Sequence, residues 1–194
     1  MVKFLGNKKI QIAVFISGTG SNLKSLINYS LKNNNKIKIK VIISDNNKAK
    51  GLDFAKVYKI KKKIYQFKKK KVAEKKLLQF LREENIKLIC LAGFMRILSA
   101  NFIKKFEGQI INIHPSLLPK YKGLNTHERI IKNKEKFSGC TVHHVTSELD
   151  SGKIILQKKV KVLKSDTPKK LANRILKQEH ILYPKALKKV CSSF

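Results

Sequence analysis

The chain is predicted to be an α/β protein: a Rossmann-like, mostly parallel sheet flanked by helices, with an antiparallel hairpin near the C-terminal end. Three observations point there. Short apolar runs bounded by turn residues alternate with segments of helical spacing, the pattern of strands joined by crossover helices. The first run leads through Ser17-Gly18-Thr19-Gly20 directly into a helical segment. Late in the chain, two strand-like stretches follow each other across the polar turn 147–152 with no helix between them, as in a hairpin.

In order, 10–16 reads as a buried first strand, 21–30 as a helix and 37–43 as a second strand. A short helix over 51–56 and a short strand at 57–60 follow. Across 66–84, Ala73, Leu77, Phe80 and Leu81 fall at helical spacing, with the lysine runs on the opposite, solvated face. Residues 88–91 and 109–113 read as two further buried strands, separated by a stretch with a helix starting near Ser99. Pro115 and Pro119 impose a loop, and a helix follows over 126–132. The hairpin strands are 141–145 and 154–160. Thr167 opens the last helix with Pro168 in its first turn, and Leu171, Ala172, Ile175, Leu176 and Leu182 mark its apolar stripe.

The length suits one domain, 1–194, with a core large enough to need no staples. Apolar runs are too short to cross a bilayer, and too few residues precede the first strand for a signal peptide, so a cytoplasmic protein is expected. Cys90, Cys140 and Cys191 are widely spaced without a C-x-x-C pair, which favours buried reduced thiols over disulfides or zinc. The formal net charge of +32 suggests nucleic acid. Yet only four basic residues are Arg (Arg82, Arg96, Arg129, Arg174), whereas base-edge reading relies on Arg forks. Lys abundant beside Asn and Ile is also what AT-rich codons produce, so no specific nucleic-acid partner is expected.

Asn112 and His114 stand two apart on a strand, so their side chains share one face, and Pro115 ends the strand there. An amide and an imidazole side by side suit acyl transfer: the amide donates to an oxyanion and the imidazolium supplies a proton or a positive charge. Asp150 is either their carboxylate partner, raising the His114 pKa, or an ordinary turn residue. The stretch Ser17 to Asn22 is either an anion site at a helix start or only a tight turn. Leu23 replaces the third glycine of G-x-G-x-x-G, which speaks against a dinucleotide cofactor. Glu179 falls on the apolar stripe of the last helix, where a carboxylate needs either ligand hydroxyls or an internal ion pair. His127-Glu128 lacks the second His of H-E-x-x-H, and His143 and His144 project to opposite strand faces, so no metal site is expected.

Together these segments resemble the phosphoribosylglycinamide formyltransferases, folate-dependent enzymes of purine synthesis. The resemblance runs through Ile-Ser-Gly-Thr-Gly-Ser-Asn-Leu at 16–23, Leu-Ala-Gly-Phe-Met-Arg-Ile-Leu-Ser at 91–99 and Asn-Ile-His-Pro-Ser-Leu-Leu-Pro-Lys-Tyr at 112–121. It continues through Glu-Leu-Asp-Ser-Gly at 148–152 and Gln-Glu-His at 178–180. It implies formyl transfer from 10-formyltetrahydrofolate, as co-substrate, to glycinamide ribonucleotide, by a monomer or homodimer acting on small molecules. By resemblance, Asn112, His114 and Asp150 are catalytic, while Gly20, Ser21 and Asn22 take the phosphate and Glu179 the ribose. The folate is expected along Met95, Arg96, Ile97 and Leu98 and against Asn112, with Lys70 where the family often has an Arg. Methionyl-tRNA formyltransferase and formyltetrahydrofolate deformylase resemble the same motif but normally carry a further domain, for which this length leaves no room.

Overall fold

The computed structural model describes residues 9–32 and 36–192. The first eight residues, on which the expectation of no signal peptide bears, lie outside that range. Seven strands form one sheet in the order β3-β2-β1-β4-β5-β6-β7. Its strands are β1 (Ile10–Ile16), β2 (Ile37–Ser44), β3 (Lys61–Ile64), β4 (Leu88–Leu91), β5 (Gln109–His114), β6 (Phe137–His144) and β7 (Ile154–Lys161). The helices are α1 (Ser21–Ser30), α2 (Asp53–Val57), α3 (Lys70–Glu83), α4 (Ala100–Lys105), α5 (Thr126–Lys132) and α6 (Pro168–Cys191). The pairs from β3 to β5 are parallel, whereas β5–β6 and β6–β7 are antiparallel.

Helices cover both faces, which is why the central strands are apolar throughout rather than alternating. Ile12, Val14 and Ile16 point into a core shared with Leu23 of α1 and with Leu171, Ile175 and Tyr183 of α6. Ala13 and Phe15 point the other way, toward Leu77 and Phe80 of α3 and Phe102 of α4. Tyr183, fully buried, donates its hydroxyl hydrogen to the carbonyls of Leu91 (2.9 Å) and Ile111 (3.3 Å), tying α6 to β4 and β5. Cys90, Cys140 and Cys191 are free and buried, and burial raises the thiols of Cys140 and Cys191 to about 12 and about 11.

The expected elements are present, with two notable shifts of boundary. The third strand lies at Lys61–Ile64 rather than 57–60, because α2 extends to Val57 and then closes on itself: Lys59 is left-handed (φ 52°) and the Ile60 N–H returns to the Ala55 carbonyl. It is an exposed edge strand, and its lysines are the kind of residue that discourages further pairing. The first hairpin strand starts at Phe137, four residues before the expected Thr141. A Cβ on Gly139 would lie 2.0 Å from the Lys158 carbonyl oxygen, so the strand crosses its neighbour only with glycine there. On α6, Ala172 and Leu176 are half-buried, while Glu179, Tyr183, Ala186, Leu187 and Val190 complete the buried stripe.

Candidate active site

β5 delivers Asn112 and His114 to its C-terminal end, with Ile113 turned into the opposite core. His114 is buried, and both ring nitrogens face acceptors: Nε2 is 2.8 Å from the Tyr121 carbonyl and Nδ1 is 3.3 Å from Asp150 Oδ2. Asp150 sits in a left-handed turn (φ 48°), a conformation Asp tolerates better than most residues. Its Oδ2 also accepts the Gly123 N–H at 2.9 Å. A third group joins them. His143 of β6 lies opposite Asn112 in the antiparallel register, with Nε2 at 3.2 Å from Asn112 Nδ2 and 3.6 Å from Asp150 Oδ1. Its Nδ1 is 2.8 Å from the His144 carbonyl, which can only accept, so Nδ1 carries a proton. A neutral His143 ring then accepts from the Asn112 amide, whereas a protonated one turns an N–H toward Asp150.

Burial is the largest influence on His114 and sets its pKa below that of an ordinary histidine. The Tyr121 carbonyl and the Asp150 carboxylate pull it upward, and His143 and Arg129 add to the lowering. Asp150 therefore acts in the direction expected from sequence, but desolvation wins and the net direction is the reverse. For Asp150, burial pushes upward, and His143, the Gly123 N–H and His114 together outweigh it, leaving the carboxyl below its usual range.

These residues line a cavity of about 430 Å³ that also takes in Asn22, Glu179 and Met95 to Leu98. It passes over the strand ends from the α1/α6 side of the sheet to the α3/α4 side, where Leu98 enters the second core. Asn22 Nδ2 donates to Glu179 Oε2 at 2.6 Å, so on this side the carboxylate's protein partner is an amide. Burial raises the Glu179 carboxyl, the Asn22 bond only partly opposing it. Asn22 Oδ1 is buried with no hydrogen-bond partner, and Asn22 is among the residues that line the cavity. Gly20, left-handed at φ 73°, caps α1, and a Cβ there would meet the Gly51 Cα at 2.7 Å. Gly20 and Ser21 stand beside the cavity rather than in its lining, and Lys70, half-buried at the start of α3, is also outside it.

The family model for formyl transferase matches residues 10–187. The chain belongs to the formyl transferase family. Phosphoribosylglycinamide formyltransferase of Escherichia coli (strain K12) is 38% identical over 178 residues, 90% of this chain and 84% of that protein. The human trifunctional purine biosynthetic protein adenosine-3 is 43% identical over 188 residues, 95% of this chain; the chain spans only 19% of that longer protein. A crystal structure of phosphoribosylglycinamide formyltransferase from Anaplasma phagocytophilum superposes with a TM-score of 0.90 at 43% identity, covering 96% of this chain and 88% of that one. Within this formyl transferase site, sequence reasoning did not find His143. Its facing away from His144 was legible and counted against a metal, but only the β5–β6 register sets it against Asn112. No helix among the described residues is long and apolar enough to cross a membrane.

Proposed function

We propose that this chain is a phosphoribosylglycinamide formyltransferase, moving the formyl group of 10-formyltetrahydrofolate to the amine of 5-phosphoribosylglycinamide in purine synthesis. The products are formylglycinamide ribonucleotide and tetrahydrofolate. One observation carries the reading: a single cavity joins Asn22 and Glu179 on one side of the sheet to Met95–Leu98 on the other, with Asn112, His114 and Asp150 at the strand ends it crosses. That is the layout two substrates need if their reacting atoms are to meet.

The ribonucleotide phosphate lies against Gly20, Ser21 and Asn22, where free N–H groups of the first turn of α1 favour an anion. Glu179 accepts from ribose hydroxyls, and the unpartnered Asn22 Oδ1 offers a second acceptor. The folate lies along Met95, Arg96, Ile97 and Leu98, with Lys70 within reach of its carboxylates. The amine attacks the formyl carbon, a C–N bond forms, and the carbonyl π pair becomes an oxyanion that Asn112 Nδ2 stabilises by donating a hydrogen. The amine gives up one proton and N10 of the folate gains one as its bond to the formyl carbon breaks. His114 Nε2 is committed to the Tyr121 carbonyl, so Nδ1, beside Asp150, is the position that takes the first proton and returns the second. Asp150 holds the imidazolium between these steps. Direct attack forms no covalent enzyme intermediate and calls on no metal.

We read the chain as a single formyltransferase domain acting in the cytoplasm on small molecules, as monomer or homodimer, without a specific nucleic-acid partner. The test is an assay of formyl transfer from 10-formyltetrahydrofolate to glycinamide ribonucleotide. Turnover is expected; a folded protein inactive there but active on aminoacylated tRNA would refute the assignment. Retardation of nucleic acid that persists at elevated salt would overturn the reading of the charge, since phosphate contacts alone weaken steeply with salt.

A further inference from the structure

Asp45 follows β2 and belongs to neither substrate segment, yet it touches the loops that carry both. Its side chain is only 4% exposed. The Ser17 hydroxyl donates to Oδ1 at 2.5 Å, and the same Ser17 Oγ accepts the Met95 N–H at 2.8 Å. Arg96 Nε–H donates to Oδ2 at 2.6 Å. Asn46 Nδ2 adds a bond to the Ser17 carbonyl (3.3 Å), and the Ser17 N–H reaches the Gly93 carbonyl (3.1 Å). With β2, β1 and β4 adjacent in the sheet, this network crosses three strand ends.

We propose that Asp45 is a positioning residue that couples the two halves of the cavity, so that filling the β1–α1 turn tightens folate binding along Met95–Leu98. The inference rests on the proposed reaction. Its mechanical basis is that neither segment can absorb a displacement by itself. The turn from Ser17 to Gly20 is clamped by the Gly51 N–H on the Gly18 carbonyl (3.0 Å) and by the close approach of Gly20 to Gly51. At its far end, Met95–Leu98 runs into Ser99, whose N–H and hydroxyl are both taken by the buried Glu74 carboxylate (2.8 and 2.5 Å). A pull on the turn by a phosphate therefore reaches Ser17, and through its hydroxyl the Met95 amide. In this arrangement the carboxylate takes a hydrogen from each of the two groups it meets. An amide in its place keeps Arg96 on its oxygen and can turn its NH₂ toward Ser17 Oγ, which accepts as well as donates, so only removal of the side chain breaks both bonds.

The experiment is calorimetric titration with glycinamide ribonucleotide and tetrahydrofolate, a substrate and a product that cannot react, each with and without the other. In the parent protein each ligand is expected to tighten the other by at least about fivefold, by the same factor in either order. Asp45→Ala is expected to bring that factor below about twofold while each ligand alone binds within about tenfold of the parent value and the fold still melts cooperatively. Ser17→Ala breaks the same relay from the other side and keeps the test valid should the first variant fold poorly. Coupling that survives in the variants, or a parent protein that binds both ligands independently, overturns the proposal. A folded parent that binds neither ligand refutes the proposed reaction itself, and this coupling with it.

Discussion

Asp150→Asn separates the charge of the carboxylate from its shape. Asn tolerates the left-handed conformation as well as Asp does, and its remaining oxygen can keep the Gly123 N–H, so the β6–β7 turn should fold unchanged. What disappears is a negative charge 3.3 Å from His114 Nδ1. At an effective dielectric constant of about 20, a full charge pair at that distance interacts by about 5 kcal/mol, an upper figure before screening and desolvation. Losing general acid–base assistance costs about 10²- to 10⁴-fold, or roughly 3–5 kcal/mol, so the two estimates agree. The turnover number is expected to fall by about 10²- to 10⁴-fold with melting temperature nearly constant. Because Asp150 pulls the His114 pKa upward against burial, the variant's His114 should titrate lower still, moving the acid limb of the rate profile to lower pH. Steady-state formyl transfer and an NMR titration of the imidazole measure both. Turnover near the parent value, or a His114 that titrates higher, would show that Asp150 does not hold the imidazolium.

Three further substitutions probe the scaffold around the trio. Gly20→Ala places a Cβ 2.7 Å from the Gly51 Cα at a positive φ, so a loss of about 1–3 kcal/mol is expected in denaturant unfolding, with weaker ribonucleotide binding; an unchanged midpoint would mean that the turn is not clamped. Burial raises the folded-state pKa of Glu179 above that of an ordinary carboxyl group, so its favourable contribution is present below the ordinary value and is lost as pH rises through the folded pKa. Glu179→Gln should therefore melt higher than the parent at neutral pH, by about 2–4 °C per kcal/mol, lose that advantage near pH 4 and raise KM for the ribonucleotide. A variant less stable than the parent at neutral pH would contradict this. Tyr183→Phe removes a fully buried hydroxyl from the Leu91 and Ile111 carbonyls and should cost about 1–2 kcal/mol with an unchanged denaturant slope.

What could be read from sequence follows from where each signal resides. β4 and β5 are buried on both faces, so their apolar runs stood out, and Asn112 and His114 were conspicuous as polar interruptions at the end of one of them. β3 was misplaced because an edge strand made of Lys61, Lys62, Lys63 and Ile64 has no buried face to mark it; the pairing with β2 defines it. The early half of β6 was missed because Ser138-Gly139 resembles a turn until Lys158 lies across it. The net direction of the His114 shift was not legible for a related reason. A partner charge can be named from a motif, whereas desolvation sums over packing from several elements. His143 and Asp45 show the same boundary within the site. Each has its closest functional partner on a different strand or loop, at Asn112 and at Ser17 and Arg96, and neither pairing exists until strand order and register do. Most of the residues proposed to meet the substrates were legible because they lie in contiguous motifs at strand ends. Those proposed to position them became visible only when β2 was set beside β1, and β6 against β5.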